Sequence, residues 1–135
     1  MTMGLATAIR NTIVQAIRDA IDAGAGAGKL RVYDGARPAT GGAPTNLLAE
    51  LTFSDPSAPG AAGGVLTFSA ITEDSSADLT GTATWCRLVD STGAFVADAS
   101  VTVTGGGGDF QLVTVSIVAA TAVQCTSATI TAGNP

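Results

Sequence analysis

The amino-acid sequence predicts a mainly β protein, with a β-sandwich or jelly-roll-like antiparallel domain preceded by one N-terminal amphipathic α-helix. Near the N-terminus, aliphatic residues recur at every fourth position, as they do on one face of a helix. After residue 28 the chain consists of short segments of alternating polarity separated by Gly, Pro, Asn and Asp, with no helical pattern between them. We therefore expect a helix and Gly/Ala-rich linker over residues 1–28 and a β-sandwich domain over residues 29–135, with a barrel as the alternative architecture.

The helix is expected over residues 5–23. Its apolar stripe has a spacing of four residues and comprises Leu5, Ile9, Ile13, Ile17 and Ile21. The glycines of residues 24–28 end it. A single amphipathic helix is not stable alone in water, so it must dock on its own domain or on a neighbour. We accordingly predict that Ile9, Ile13, Ile17 and Ile21 are interface residues.

The β domain is expected to contain seven or eight strands. Segments with strand patterning lie at residues 29–33, 46–53, 65–69, 81–89, 94–103, 110–118 and 123–131. Trp85, in the middle of its segment, is predicted to be a core residue rather than a sugar-binding platform. The long loops 34–44 and 55–64 are expected to reach neighbouring subunits, because long loops in compact domains are often functional. In the first loop we predict Arg37 and Pro38 as interface residues.

The composition favours burial against other proteins. Charged residues make up 13% of the chain, whereas about 25% is usual in soluble domains. Hydrophobic residues make up 46%, more than a core this small can hide, and exposed apolar surface usually marks a partner site. The six basic residues form no cluster that could bind nucleic acid. Residues 110–135 are uncharged but alternate in polarity, as strands do, so we expect no membrane partner.

The usual elements of an active site are missing. There is no histidine. Cys86 and Cys125 lack metal-site spacing and are expected to be small buried side chains, with a disulfide between strands as the alternative. A reactive thiol at Cys86 is not expected, although Arg87 is its neighbour, because successive strand residues face opposite sides of a sheet. We predict that the chain is not an enzyme.

Two further segments have compositions found in ion- or phosphate-binding loops, but their residue spacing does not match those motifs. The acidic cluster of Glu73, Asp74 and Asp78 lacks the spacing of a calcium-binding loop and is expected to be a solvated loop. The four glycines at residues 105–108 are not followed by the Lys and Ser or Thr of a phosphate-binding loop, so a flexible loop is expected there. No cofactor or metal is predicted.

Three stretches of the chain resemble a known family. They are residues 30–38 (LRVYDGARP), 47–53 (LLAELTF) and 75–101 (SSADLTGTATWCRLVDSTGAFVADASV). In order and spacing, together with the N-terminal helix and its Gly-rich exit, they resemble small structural proteins of tailed bacteriophages, including capsid decoration (cement) proteins. The motifs are turns and strands, so the resemblance carries over no catalytic residue.

The resemblance implies a structural virion protein that binds the outside of a phage head and stabilises contacts between major capsid protein subunits. Its expected partners are the major capsid protein and itself, as a homodimer or homotrimer. It would be assembled in the host bacterial cytoplasm and carried on the capsid exterior. The alternatives are another phage structural component, such as a head fibre or a tail base or adhesion module, and a secreted carbohydrate-binding β-sandwich.

Overall fold

The computed structural model describes residues 3–133 and confirms the predicted fold class, a mainly β protein with one N-terminal helix. The helix, α1, spans Thr7–Ile21. It is followed by nine strands: β1 (Lys29–Tyr33), β2 (Leu47–Thr52), β3 (Val65–Thr67), β4 (Gly81–Thr82), β5 (Trp85–Val89), β6 (Phe95–Val103), β7 (Phe110–Leu112), β8 (Ser116–Ile117) and β9 (Cys125–Thr131).

Seven of these strands form one sheet in the order β2-β1-β5-β6-β7-β9-β3, and β4 pairs with β8 in a separate two-stranded sheet. Every pair is antiparallel except β6–β7, in which Val101 lies opposite Phe110 and the strands run in the same direction. The sequence predicted an antiparallel domain, so this parallel pair is the exception to it.

The parallel pair depends on the glycines at residues 105–108, which form a close-packed reversal rather than the flexible loop expected from the sequence. Parallel neighbours normally need a connection of a dozen or more residues, whereas β6 and β7 are joined by residues 104–109. A Cβ atom added at either Gly106 or Gly108 would lie 2.8 Å from side-chain atoms of Thr102 on β6. Only glycine lets the chain turn back this close to the strand it has just left.

Two predicted strands are each split because the chain changes partner within them. In residues 81–89, the Ala83 amide donates to Val115, but the next amide, that of Thr84, donates to Tyr33 at the end of β1. The segment thus leaves the β4–β8 pair and enters the large sheet. Likewise, the Val113 amide donates to Gln124, after which the chain crosses to β4. The alternation of polar and apolar residues continues unchanged where a segment passes from one sheet to the other. The sequence pattern therefore cannot show where the segment changes its partner strand.

The large sheet curls around its core until its two ends meet. Thr52, at the end of β2, forms reciprocal backbone hydrogen bonds of 3.1 and 2.8 Å with Thr72, which follows β3. Beside this junction Phe53 packs on Phe68 and Phe110, with ring centroids 5.2 and 6.3 Å away. The inward residues of β1 and β5 fill the same core: Leu30, Val32, Cys86 and Leu88.

Candidate interaction surfaces

Helix α1 buries only part of its apolar stripe against the sheet. Val14 and Ile21 are fully buried and Ile17 packs against the core, whereas Ile9 and Ile13 are 52% and 41% exposed. The period of four places Ile9 and Ile13 on one flank of the buried face, where the sheet does not reach them. Of the four predicted interface isoleucines, Ile9 and Ile13 therefore face solvent, Ile17 lies at the boundary and Ile21 is in the chain's own core.

The opposite flank of α1 holds the loop formed by residues 55–64. Three polar side chains on this flank, one of them at the C-cap, accept hydrogen bonds from backbone amides of the loop: Asn11 from Gly64 at 2.7 Å, Gln15 from Ala61 at 3.2 Å and Asp22 from Ser57 at 2.8 Å. This loop was expected to reach neighbouring subunits. These three backbone amides are bonded within the chain, and contact between the loop and a neighbouring subunit stays a prediction.

The other long connection, residues 34–46, lies over the outer face of β5. Trp85 is 2% exposed, as predicted, and stacks on Tyr33 with ring centroids 4.5 Å apart. Its indole N–H donates to the Asp34 carbonyl at 2.9 Å and to Thr45 Oγ1 at 3.2 Å. The Asp34 carboxylate accepts the side-chain and backbone N–H of Asn46, and these bonds lower its pKa. Both ends of the loop are thereby fixed.

The middle of the loop is held by Arg87. Its guanidinium forms a two-pronged ion pair with Asp98 at 2.8 and 2.9 Å and donates to the Gly42 carbonyl at 2.9 Å. The guanidinium carbon lies 5.4 Å from the Trp85 ring centroid and 4.9 Å from that of Phe95. The hydrogen-bonded Asp98 raises the pKa of Arg87 further above its usual value. Since this arginine is committed to the fold, it is not available to a ligand.

The tip of the loop is left exposed around Arg37 and Pro38. Thr40 has φ +40°, a left-handed conformation that costs a β-branched residue about 1–3 kcal/mol. Gly41 lies against the ring of Phe95, where an added Cβ would be 3.0 Å from the ring, and Phe95 is 46% exposed. Because backbone strain of this kind is kept where a segment has a function, it draws attention to this loop.

Nearly all the charge of the protein is used internally. Within residues 3–133, all but three of the 6 basic and 11 acidic side chains have a hydrogen-bond or ion-pair partner. The three without one in that range are Arg37, Asp55 and Asp78. Arg37 is thus the single uncommitted cation of the described chain.

The acidic segment at residues 73–79 covers the edge of β2. The Asp74 carboxylate accepts hydrogen bonds from the backbone amides of Glu50 on β2 and of Ser76. The Asp78 amide donates to Leu48 of β2 at 2.7 Å, while its carboxylate points to no partner among residues 3–133. Over the same residues, no three His, Cys, Asp or Glu side chains converge as a metal site would require.

The cysteines are free thiols rather than a disulfide. Cys86 lies in the core on the face of β5 opposite Trp85, as alternation predicts, and its burial raises its pKa well above the usual value. Cys125 is partly buried beside an open groove of about 190 Å³ between β9 and residues 67–71, and burial raises its pKa as well. Both thiols are protonated at neutral pH and are therefore poor nucleophiles.

Comparison of the chain with protein-family models, with curated proteins and with solved structures finds no match. No helix within residues 3–133 combines the length and the apolar character needed to cross a bilayer.

The structure places Arg37 and Pro38 at the tip of the loop, and their role as interface residues stays a prediction. Two exposed apolar residues, Phe95 and Leu79, were not predicted as interface residues. Phe95 was assigned only to a strand, and Leu79 only to the end of an acidic loop. Both are about half exposed in the structure. For Phe95 the sequence did contain a signal of exposure, because this large apolar residue comes two positions after the Asp90-Ser91-Thr92-Gly93 turn.

Proposed function

We propose that the chain is a structural virion protein, a decoration (cement) protein that binds the outside of a tailed-phage head and stabilises contacts between major capsid protein subunits. The observation that carries the proposal is the contrast between committed charge and uncommitted apolar surface. All but three of the charged side chains have a partner within residues 3–133, whereas eight large apolar side chains are 41–60% exposed: Met3, Ile9, Ile13, Leu79, Phe95, Val103, Val113 and Val118.

Such a surface suits burial against protein. Removing an unpaired charge from water is costly, whereas removing an apolar side chain is favourable by roughly 25 cal/mol per Å². The exposed apolar residues are distributed over several parts of the chain, on α1 and around β4, β6, β7 and β8. Contacts of modest size add up when many copies bind a repeating shell.

The thiols and carboxylates support a non-catalytic role in the reducing cytoplasm where such a protein would be assembled. Cys86 is enclosed and unbonded, and the Asp74 carboxylate is occupied by backbone amides. Free thiols are typical of proteins made in a reducing compartment. These two groups are thus occupied in holding the fold.

The test is co-sedimentation with empty heads of the phage that encodes the chain. Wild-type protein is expected to pellet with the heads and to raise the temperature at which they rupture. Ile13→Asp should fold normally, because Ile13 is exposed in the chain itself, yet bind the heads more weakly. Thr12→Asp, at the exposed polar neighbour of Ile13 on α1, is the matched control because it adds the same charge without removing an apolar side chain. Wild-type protein that stays in the supernatant at every concentration would refute the proposal.

Imaging the labelled particles distinguishes the alternative phage roles. A decoration protein should cover the whole shell, whereas a tail base or adhesion module would label one vertex and a head fibre would project from scattered points. Carbohydrate-binding modules stack sugars on exposed aromatic rings, whereas Trp85 and Tyr33 are both buried beneath residues 34–46 and Phe95 alone among the aromatic residues is exposed. The structure therefore offers that third alternative little support.

A further inference from the structure

The tip of the loop formed by residues 34–46 makes one patch with the start of β6. We call it the Arg37 surface, and it consists of Arg37, Pro38 and Phe95. The turn at residues 39–42 joins these side chains. A Cβ atom added at Gly42 would lie 3.1 Å from Pro38, and one added at Gly41 would lie 3.0 Å from the Phe95 ring. The free cation of the loop is thus placed near the exposed aromatic ring of β6.

The strand register fixes where this surface lies. At its root the loop is bonded to Trp85, the first residue of β5, and in its middle the Gly42 carbonyl accepts a hydrogen bond from Arg87. Phe95, which touches the tip, lies opposite Val89, the last residue of β5. The loop therefore runs along β5, and the Arg37 surface lies toward the end of β5 at Val89.

The carboxylates of the adjoining strand and turn are already engaged, and none of them pairs with Arg37. Asp98 on β6 forms the two-pronged ion pair with Arg87. The Asp90 carboxylate accepts hydrogen bonds from the backbone amides of its own turn, at 2.8 and 3.0 Å. Arg37 itself is exposed. Because a guanidinium is costly to bury without an anion, a protein that covers this surface has to supply one.

The Arg37 surface is held in shape before any partner arrives. The loop is fixed at its root and in its middle by Trp85 and Arg87, and the ring of Pro38 restricts its own backbone. Thr40 and Gly41 at the tip are both left-handed, with φ +40° and +72°. Ordering a mobile loop costs free energy on binding, and a loop that is already ordered avoids most of that cost.

The chemistry of the surface defines what it can bind. The planar guanidinium of Arg37 matches a carboxylate, which can accept two parallel hydrogen bonds from it. Phe95, 46% exposed, offers apolar area beside that contact, and arginine and aromatic residues are enriched at interfaces. A phosphate-rich partner would need a cluster of cations, whereas Arg37 is the single uncommitted cation among residues 3–133.

We propose that the Arg37 surface faces the shell, where Arg37 receives a carboxylate of the major capsid protein and Phe95 packs on an apolar side chain beside that carboxylate. This inference rests on the proposed function and adds the chemistry of the partner. The chain has a net charge of −5, so carboxylates on the shell repel most of its surface. A single free cation then determines which part of the chain turns toward them, since like charges placed together oppose every other orientation.

The test measures the Kd for empty heads by co-sedimentation over a concentration series. Arg37→Gln should raise the Kd by at least about tenfold, and Arg37→Lys, which keeps the charge but loses the planar fork, by about threefold. Arg18→Gln is the matched control, because it makes the same change in net charge at an arginine that already pairs with Asp19 at 2.8 Å. It should stay within about twofold of wild type. Urea denaturation checks that the variants are equally stable.

The salt dependence of binding separates an ion pair from a purely structural role of Arg37. The Kd of the wild-type protein should rise more steeply with salt than that of Arg37→Gln, because only the wild type has the charge contact to be screened. Equal salt dependence in the two proteins would overturn the inference even if Arg37→Gln bound more weakly.

The remaining outcomes separate this inference from the proposed function. If wild-type protein binds heads and Arg37→Gln binds them as tightly as Arg18→Gln does, the inference alone falls and the proposed function stands. If wild-type protein does not bind heads at any concentration, the proposed function falls and takes the inference with it.

Discussion

The two long loops, residues 34–46 and 55–64, are fixed to the fold in opposite ways. Side chains at α1 and its C-cap accept hydrogen bonds from three backbone amides of the second loop, so these amides face the helix. In the first loop, backbone carbonyls accept hydrogen bonds from Trp85 and Arg87 of β5. The tip of this loop is exposed, and Arg37 there has no partner among residues 3–133. A similar Gly- and Pro-rich composition thus produces one loop that closes the fold and one that remains available to a partner.

The largest effect is expected from removing the support beneath the first loop. Trp85→Ala deletes the stack on Tyr33 and the indole N–H donor, and should lower the free energy of unfolding by about 3–5 kcal/mol, the range for large buried aromatics. Urea denaturation measures the change. Trp85→Phe keeps a ring in place and should cost less than half as much. A loss below about 1 kcal/mol in Trp85→Ala would show that the loop is held by other contacts.

In the helix that supports the second loop, the loss of stability should depend on whether a buried or an exposed side chain is truncated. Ile21→Ala removes a fully buried side chain and should cost about 2–5 kcal/mol, with earlier proteolysis in residues 55–64 as α1 loosens. Ile13→Ala, on the exposed flank, should remain within about 0.5 kcal/mol of wild type. Equal losses at the two positions would mean that both faces are covered in the free protein.

A smaller change should release the second loop without undocking the helix. Asn11→Ala leaves the buried Gly64 amide without its acceptor, at an expected cost of about 1–3 kcal/mol. Amide hydrogen exchange should become faster at Gly64, while the first loop keeps its protection. Thr12→Ala, on the exposed part of the same turn, serves as the control and should leave exchange at Gly64 unchanged.

The smallest effect should come from protonating the root of the first loop. The pKa of Asp34 is lowered from 3.8 by the hydrogen bonds from Asn46, so its contribution to stability is present above that value and is lost as the pH falls through the lowered pKa. Asp34→Asn should therefore make stability less dependent on pH below about 4. Asp55→Asn, which removes a carboxylate without a partner among residues 3–133, is the matched control.

The sequence predicted those features that depend on local pattern. Alternation placed β1 at Lys29–Tyr33 with both ends correct, and put Trp85 and Cys86 on opposite sides of β5. The N-terminal helix followed from its period of four. These signals depend on neighbours within a few residues along the chain, so one sequence is enough to reveal them.

The remaining features depend on contacts between distant segments. Which flank of α1 is buried is decided by the position of β3 and the loop of residues 55–64, and nothing in the spacing of Ile9 and Ile13 marks them as exposed. The parallel β6–β7 pair depends on how closely Gly106 approaches Thr102. Similarly, an arginine in the sequence does not show whether a carboxylate will face it, so Arg37 could be distinguished from Arg87 only in the folded chain.

The closure of the large sheet bears on how the protein behaves when crowded. Open strand edges recruit further strands and lead to fibrous aggregates. Here the edge of β2 is occupied by the backbone of Thr72, the carboxylate of Asp74 and the amide of Asp78. A strand from another molecule therefore finds no free backbone at Glu50 or Thr52 of β2, and contacts made there have to be made by side chains.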